Sequence, residues 1–330
     1  MFEFLFINRP TKEKKDGIVT ENIFIRKYKS LAIVLFLIGL VIGPLFLPYY
    51  WLHLITLAGV GSILALGLNI FYGYCGQINF GVAAFYGIGA YISAILGTKY
   101  GLSFPLAALC ALVGSGLVGL IIGVPLLRLR EHSLALGTLA FTLLFSALVN
   151  QFEKLTGGFD GFILDPTKLA GFELGYIFWY YFTIICTLLV YFMCQYIYQS
   201  RVGRAMRCIR SDESLALSLG INIDGYKLLA FMLNCVLAAL AGIILVYSKR
   251  FVAPQDYTIG TSVLVVLMVV IGGVGSNLGA VFGGVLLMFL PEFLIHFKTF
   301  QVMINGLILI VVLIFLPKGL AGIASRRRTF

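Results

Sequence analysis

Residues 228–248 read "LLAFMLNCVLAALAGIILVYS", an apolar run without a charged side chain. A helix rises about 1.5 Å per residue, so about 20 such residues cross the roughly 30 Å hydrocarbon core of a bilayer. Comparable runs recur near 31–49, 51–72, 77–97, 103–127, 133–150, 175–198, 259–272, 279–296 and 301–317. Charged residues make up 12% of the 330-residue chain and hydrophobic residues 60%, whereas a soluble domain carries roughly 25% charged residues. The predicted fold class is an all-α polytopic membrane protein with about ten transmembrane helices. A β-barrel is excluded, because barrel strands alternate apolar and polar over about 10 residues, and these runs do not alternate.

Basic residues set the orientation. Arg9, Lys12, Lys14, Lys15, Arg26, Lys27 and Lys29 precede the first run. Arg128 and Arg130 follow the fourth, and Arg201, Arg204, Arg207, Arg210 and Lys227 follow the sixth. Lys318, Arg326, Arg327 and Arg328 end the chain. With about ten spans all four clusters fall on one side, which the positive-inside rule makes the cytoplasm. Both termini are then cytoplasmic. The predicted organisation is an N-terminal cytoplasmic segment (1–30), one transmembrane domain (31–317) with a long cytoplasmic loop at 199–227, and a basic tail (318–330). The first run reads as a retained anchor, since no small-residue cleavage site follows it. Lys249 and Arg250 land on the outside beside Asp256, where they are expected to snorkel to the interface.

The net charge of +10 does not indicate nucleic acid, because the positive residues sit at the ends of apolar runs. The six cysteines (Cys75, Cys110, Cys186, Cys194, Cys208, Cys235) form no CxxC pair and are expected to be buried, reduced thiols. His53, His132 and His296 are far apart, so no metal site is expected. No carboxylate falls at the middle of a predicted span, which leaves little machinery for proton coupling. Sodium sites built from carbonyls and hydroxyls stay open on this census. There is no P-loop, HExxH or GxSxG, and no catalytic residue is expected. "GSGLVG" (114–119) matches a dinucleotide fingerprint only formally, because it lies inside an apolar run.

Glycines at packing spacing (Gly39 and Gly43, Gly119 and Gly123, Gly275 and Gly279, Gly279 and Gly283) are expected to let helices approach closely. Two short connections stand apart. "YGYCGQ" (72–77) joins the second and third runs, and "GGVGSN" (272–277) joins the eighth and ninth. One or both are expected to break or re-enter a helix, which is tolerated at membrane depth only inside protein or beside a water-filled cavity.

The main polar interruption is "RVGRAMRCIRSDESLALSLG" (201–220). Its arginines fit topology and lipid phosphate. Beyond them, Ser211 is placed to cap a helix, with Asp212 and Glu213 at its positive end. Leu215 and Leu219 share a face beside Ala216, and Gly220 is placed to end the helix. An apolar face on a short loop helix marks a partner.

Six ordered blocks now carry a resemblance. They are "YGYCGQINFGVAAFYGIGAYISA" (72–94), "LRLREHSLALGTLAF" (127–141), "LTGGFDG" (155–161), "GRAMRCIRSDESLALSLGINIDGYKLLAF" (203–231), "VIGGVGSNLGAVFGGVLL" (270–287) and "FLPKGLAG" (315–322). From about residue 50 the chain resembles permease subunits of branched-chain amino-acid ABC transporters, of the LivM type in the LivH/LivM family. "DESLALSLGIN" (212–222) is similar to the EAA-type loop of such permeases, with Ser214-Leu215 where the family carries Ala-Ala.

The resemblance implies a type II ABC importer-like permease fold in a bacterial cytoplasmic (inner) membrane. It implies alternating access for leucine, isoleucine or valine, driven by ATP and Mg on a separate ATPase, with no cofactor on this chain. The partners implied are a second permease of the family, two cytoplasmic ATP-binding subunits, an external substrate-binding protein and membrane lipid. Asp212, Glu213, Ser214, Leu215, Ala216 and Gly220 would couple to the ATPase. Gly76, Gln77, Asn79 and Gly81, with Gly272, Gly273, Gly275 and Ser276, would line or gate the pathway. Relatives carry urea, amides or nucleosides, so the solute stays open. A stand-alone secondary transporter is the rival reading. A lipid-modifying membrane enzyme is disfavoured, because no His, Asp and Glu cluster faces one leaflet.

Overall fold

The computed structural model describes residues 43, 44 and 48–293, apart from 130, 167, 170 and 171. The segments expected at 1–30, 301–317 and 318–330, and nearly all of 31–49, lie outside the described residues.

Helix α1 (Tyr49–Leu68) runs on through a π-helical turn, Asn69–Tyr74. Then follow α2 (Val82–Thr98), α3 (Phe104–Leu126), α4 (Glu131–Gln151) and α5 (Tyr176–Gln199). Two short helices, α6 (Arg201–Ser211) and α7 (Glu213–Ser218), precede α8 (Ile223–Lys249), α9 (Ile259–Gly272) and α10 (Asn277–Phe293). Among the described residues, five stretches are long and apolar enough to cross a membrane: Tyr49–Tyr74, Phe104–Leu126, His132–Gln151, Tyr176–Gln199 and Ile223–Lys249. Val82–Thr98, Ile259–Gly272 and Asn277–Leu290 are shorter apolar helices.

Local chemistry sets the helix starts. Ser103 and Pro105 open α3, where a missing N–H costs nothing. Ser200 Oγ accepts from Gly203 N at 3.3 Å to open α6, and Asn222 Oδ1 accepts from Gly225 N at 3.1 Å to open α8. The Asn222 cap lets α8 begin before the apolar run at 228.

The core is built around α1 and α8, which are buried along most of their length. Helices α3, α4 and α5 instead expose large apolar side chains such as Leu109, Ile121, Leu136, Leu189 and Phe192. In lipid no hydrophobic force draws helices together, so close backbone approach at small residues does the packing. A Cβ on Gly242 would stand 2.0 Å from Tyr86 O, and one on Gly283 would stand 1.9 Å from Met268 O. Gly119 and Gly123 face Cys235 and Phe231 of α8, and Gly279 faces Gly272 of α9, as the spacing predicts. Gly275 differs: it sits in the α9–α10 turn at φ 91° rather than on a helix face.

At the end opposite α6 and α7, short strands tie the connections together. Strand β1 (Phe162–Ile163), β2 (Lys168–Leu169), β3 (Phe172–Glu173) and β4 (Phe251–Val252) form two antiparallel pairs, β1–β4 and β2–β3. Lys249 and Arg250, expected near the interface, both have protein partners. Lys249 pairs with Asp256 at 3.2 Å, and the Arg250 guanidinium lies 5.5 Å from the Tyr176 ring. All six cysteines are free. Cys75, Cys194 and Cys235 are buried, Cys186 and Cys208 are half-buried, and Cys110 is exposed rather than buried, because it falls on the outward face of α3.

Candidate functional site: the short helix pair and the two glycine breaks

Helix α7 is fixed at both ends. Asp212 Oδ1 accepts from Ser214 N at 2.8 Å and from Leu215 N at 3.2 Å. The cap is therefore Asp212 and not Ser211. Ser211 still belongs to α6, and its hydroxyl donates back to Cys208 O at 2.8 Å. Gly220 N donates to Leu217 O and Ile221 N to Ala216 O, at 2.9 and 3.0 Å, with Gly220 at φ 73°. This is the Schellman pattern, which needs a left-handed residue and so favours glycine.

The two faces of α7 differ. Ala216 is fully buried and packs with Ile209 and Ile223. Leu215, Leu217 and Leu219 all point out, 51–66% exposed. The predicted apolar surface is present, but Ala216 anchors the helix instead of extending that surface.

Glu213 joins α7 to two other elements. Its Oε1 accepts from Lys227 Nζ of α8 at 2.6 Å and from Gln77 Nε2 at 3.4 Å. Gln77 thus lies against the short helix pair. A cavity of about 370 Å³ at the junction of the glycine break and α6–α7 is lined by Gly76, Gln77, Arg210, Asp212 and Glu213 among others.

The first break, Gly76–Gly81, carries no regular helix. Asn79 Oδ1 accepts from Gly81 N at 2.7 Å, while its Nδ2 is buried without a partner. Thr138 Oγ1 of α4 accepts from Phe80 N at 3.1 Å, and Thr142 Oγ1 donates to Phe80 O at 2.8 Å. Ser262 Oγ of α9 accepts from Ala83 N at 3.0 Å. These hydroxyls supply the partners that a broken backbone needs away from water. The predicted run 77–97 accordingly becomes helical only at Val82.

The second break, Gly273–Ser276, meets the π-turn Asn69–Tyr74 that leads into the first. Gly275 N donates to Asn69 Oδ1 at 2.9 Å, and Asn69 Nδ2 donates to Asn277 Oδ1 at 3.0 Å. Tyr74 OH donates to the same Asn277 oxygen at 2.5 Å, and Asn277 Nδ2 donates to Gln195 Oε1 at 3.1 Å. Gly272 belongs to α9 and packs on Gly279, while Ser276 Oγ accepts from Gly279 N at 3.1 Å to start α10.

Sequence reasoning leaves out Asn69, Tyr74, Asn277, Arg210, Lys227, Thr138, Thr142 and Ser262. An amide or hydroxyl inside an apolar run was the available signal, since a buried polar group must find a partner. Arg210 Nη1 donates to Gly73 O. Among the described residues no three His, Cys, Asp or Glu side chains gather to hold a metal.

Membrane-length helices, two interrupted backbones joined through one π-turn and a short helix pair with an outward apolar face define a multi-pass transport permease. Residues 50–317 match the family model for the permease component of the branched-chain amino acid transport system, and the chain belongs to that family. Its members are transport subunits rather than enzymes. The chain is 30% identical to the high-affinity branched-chain amino acid transport system permease protein LivM of Escherichia coli K12, over 88% of this chain and 75% of the relative. It is 32% identical to LivM of Salmonella typhimurium, over 80% and 68%. It is 28% identical to BraD of Pseudomonas aeruginosa, over 81% and 93%.

Proposed function

We propose that this chain is the transmembrane permease subunit of an ATP-driven ABC importer for leucine, isoleucine and valine. It sits in a bacterial inner membrane with about ten spans, a type II importer-like arrangement and both termini in the cytoplasm. The partners are a second permease of the same family, two cytoplasmic ATP-binding subunits that hold ATP and Mg, and an external substrate-binding protein. The relatives' transport of branched-chain amino acids supports the substrate.

The observation that carries the reading is α7. A short helix capped at both ends presents Leu215, Leu217 and Leu219 outward, while its back is tied through Glu213 to Gln77 and Lys227. Three exposed leucines beside the basic α6 form a docking face for a soluble subunit. The tie behind them turns movement of that subunit into movement of the first glycine break, so the spans rock between access states.

Reconstituted vesicles test the reading. With the partner permease, ATPase and binding protein present, labelled leucine uptake should require ATP and survive collapse of ion gradients. Uptake that follows the ion gradient and ignores ATP contradicts it.

A further inference from the structure

We propose that Arg210 is a positioning residue that carries movement of α6 and α7 to both glycine breaks at once. The inference rests on the permease reading above. The arginines of α6 spend their hydrogen bonds differently. Arg204 Nη1 donates to Gln199 O at 2.9 Å, and Arg207 donates to Gly203 O and Tyr198 O, both at 3.2 Å. The Arg207 guanidinium also lies 4.0 Å from the Tyr198 ring. Those contacts stay on α6 and the end of α5. Arg210 instead leaves its own helix and donates to Gly73 O in the π-turn that ends the first long span.

The acceptor is one that the chain leaves open. The carbonyls of Phe71 and Tyr72 take the amides of Cys75, Gly76 and Gln77 around the break. Helix ends strand their last carbonyls, and here the guanidinium takes the next one, Gly73 O. The same side chain is framed by glycines of both breaks. A Cβ on Gly76 would stand 3.1 Å from Arg210 Cγ, and one on Gly275 would stand 3.0 Å from Arg210 Nη1.

The π-turn that leads into the first break is already fastened to the second break through its Asn69, which accepts from Gly275 N and donates to Asn277 Oδ1. A displacement of α6 therefore pulls on Gly73, and through Asn69 on the α9–α10 turn. Glu213 reaches only the first break. Arg210 makes the pair of breaks respond as a unit.

Coupling is a free energy between sites, so the test must read coupling and not binding alone. In vesicles carrying the complete importer, solute imported per ATP hydrolysed is measured for wild type, Arg210→Gln and Arg210→Lys. Co-purification of the ATPase subunits is followed in parallel. Arg210→Gln should retain the ATPase subunits and lower the transport ratio roughly fivefold or more, the lower end of ordinary coupling energies. Arg210→Lys keeps one cationic donor for Gly73 O and should recover most of the ratio. A glutamine variant that couples like wild type overturns the proposal. So does loss of the ATPase subunits with both variants, which assigns Arg210 a purely structural role. If wild type itself retains no ATPase, the permease reading beneath it fails instead.

Discussion

Lys227 and Glu213 meet at 2.6 Å with unequal exposure: the lysine side chain is 11% exposed and the glutamate 50%. The asymmetry predicts unequal mutants. Glu213→Ala strands a largely buried ammonium and should lower stability by about 1–2 kcal/mol. Lys227→Met leaves a carboxylate that water still reaches, and should cost less than about 1 kcal/mol. The double variant should cost less than the sum, because both changes break one contact. Unfolding midpoints in detergent give the ranking.

Gly220 should resist substitution for a backbone reason alone. No atom lies within 4 Å of where its Cβ would stand, and its φ is 73°. Gly220→Ala then carries only the left-handed penalty, about 1–2 kcal/mol. Gly220→Asn should carry less, since asparagine visits that region more readily. Both should weaken retention of the ATPase in that order, because the Schellman turn fixes the pose of Leu217 and Leu219.

The crossing of α9 and α10 predicts a steric contrast. Gly283→Ala forces Met268 O away from a 1.9 Å clash and should destabilise by about 1–3 kcal/mol. Gly175→Ala, with open space around it and no positive φ, should be neutral. Equal midpoints for the two variants would show that the helices are not packed as described.

Asn79 separates a pathway role from a packing role. Its Nδ2 is buried and unpartnered beside the start of α2. Asn79→Ser keeps a short polar side chain and removes that amide. If the break lines the route, the KM for leucine uptake should rise severalfold while ATPase retention stays unchanged. An unaltered KM with a lower unfolding midpoint would assign Asn79 to packing.

Much of this architecture was legible because hydrophobic run length and bilayer thickness are the same quantity. The helices at Phe104–Leu126 and Tyr176–Gln199 lie within a residue or two of their apolar runs. The helix end at Gly220 was legible too, since few residues accept φ 73°. Other features depend on distance in space. Ser211 and Asp212 are neighbours and equally good caps, so only the backbone turn selects Asp212. A basic residue beside an apolar run reads alike whether it faces lipid phosphate, a carbonyl or an aromatic ring, which hid the partners of Arg210 and Arg250. The hydroxyls of Thr138, Thr142 and Ser262 look like ordinary helix residues until the broken backbone they serve is placed beside them.

Docking of the ATPase on the outward face of α7 is open to a single pull-down. The tagged chain, co-expressed with its ATPase subunits, is purified in mild detergent as wild type and as Leu217→Asp. Leu217 is 63% exposed, so the charge should leave the fold and its unfolding midpoint intact. The account predicts ATPase with the wild type and little or none with the aspartate variant. Equal recovery with both, or none with a folded wild type, would contradict it.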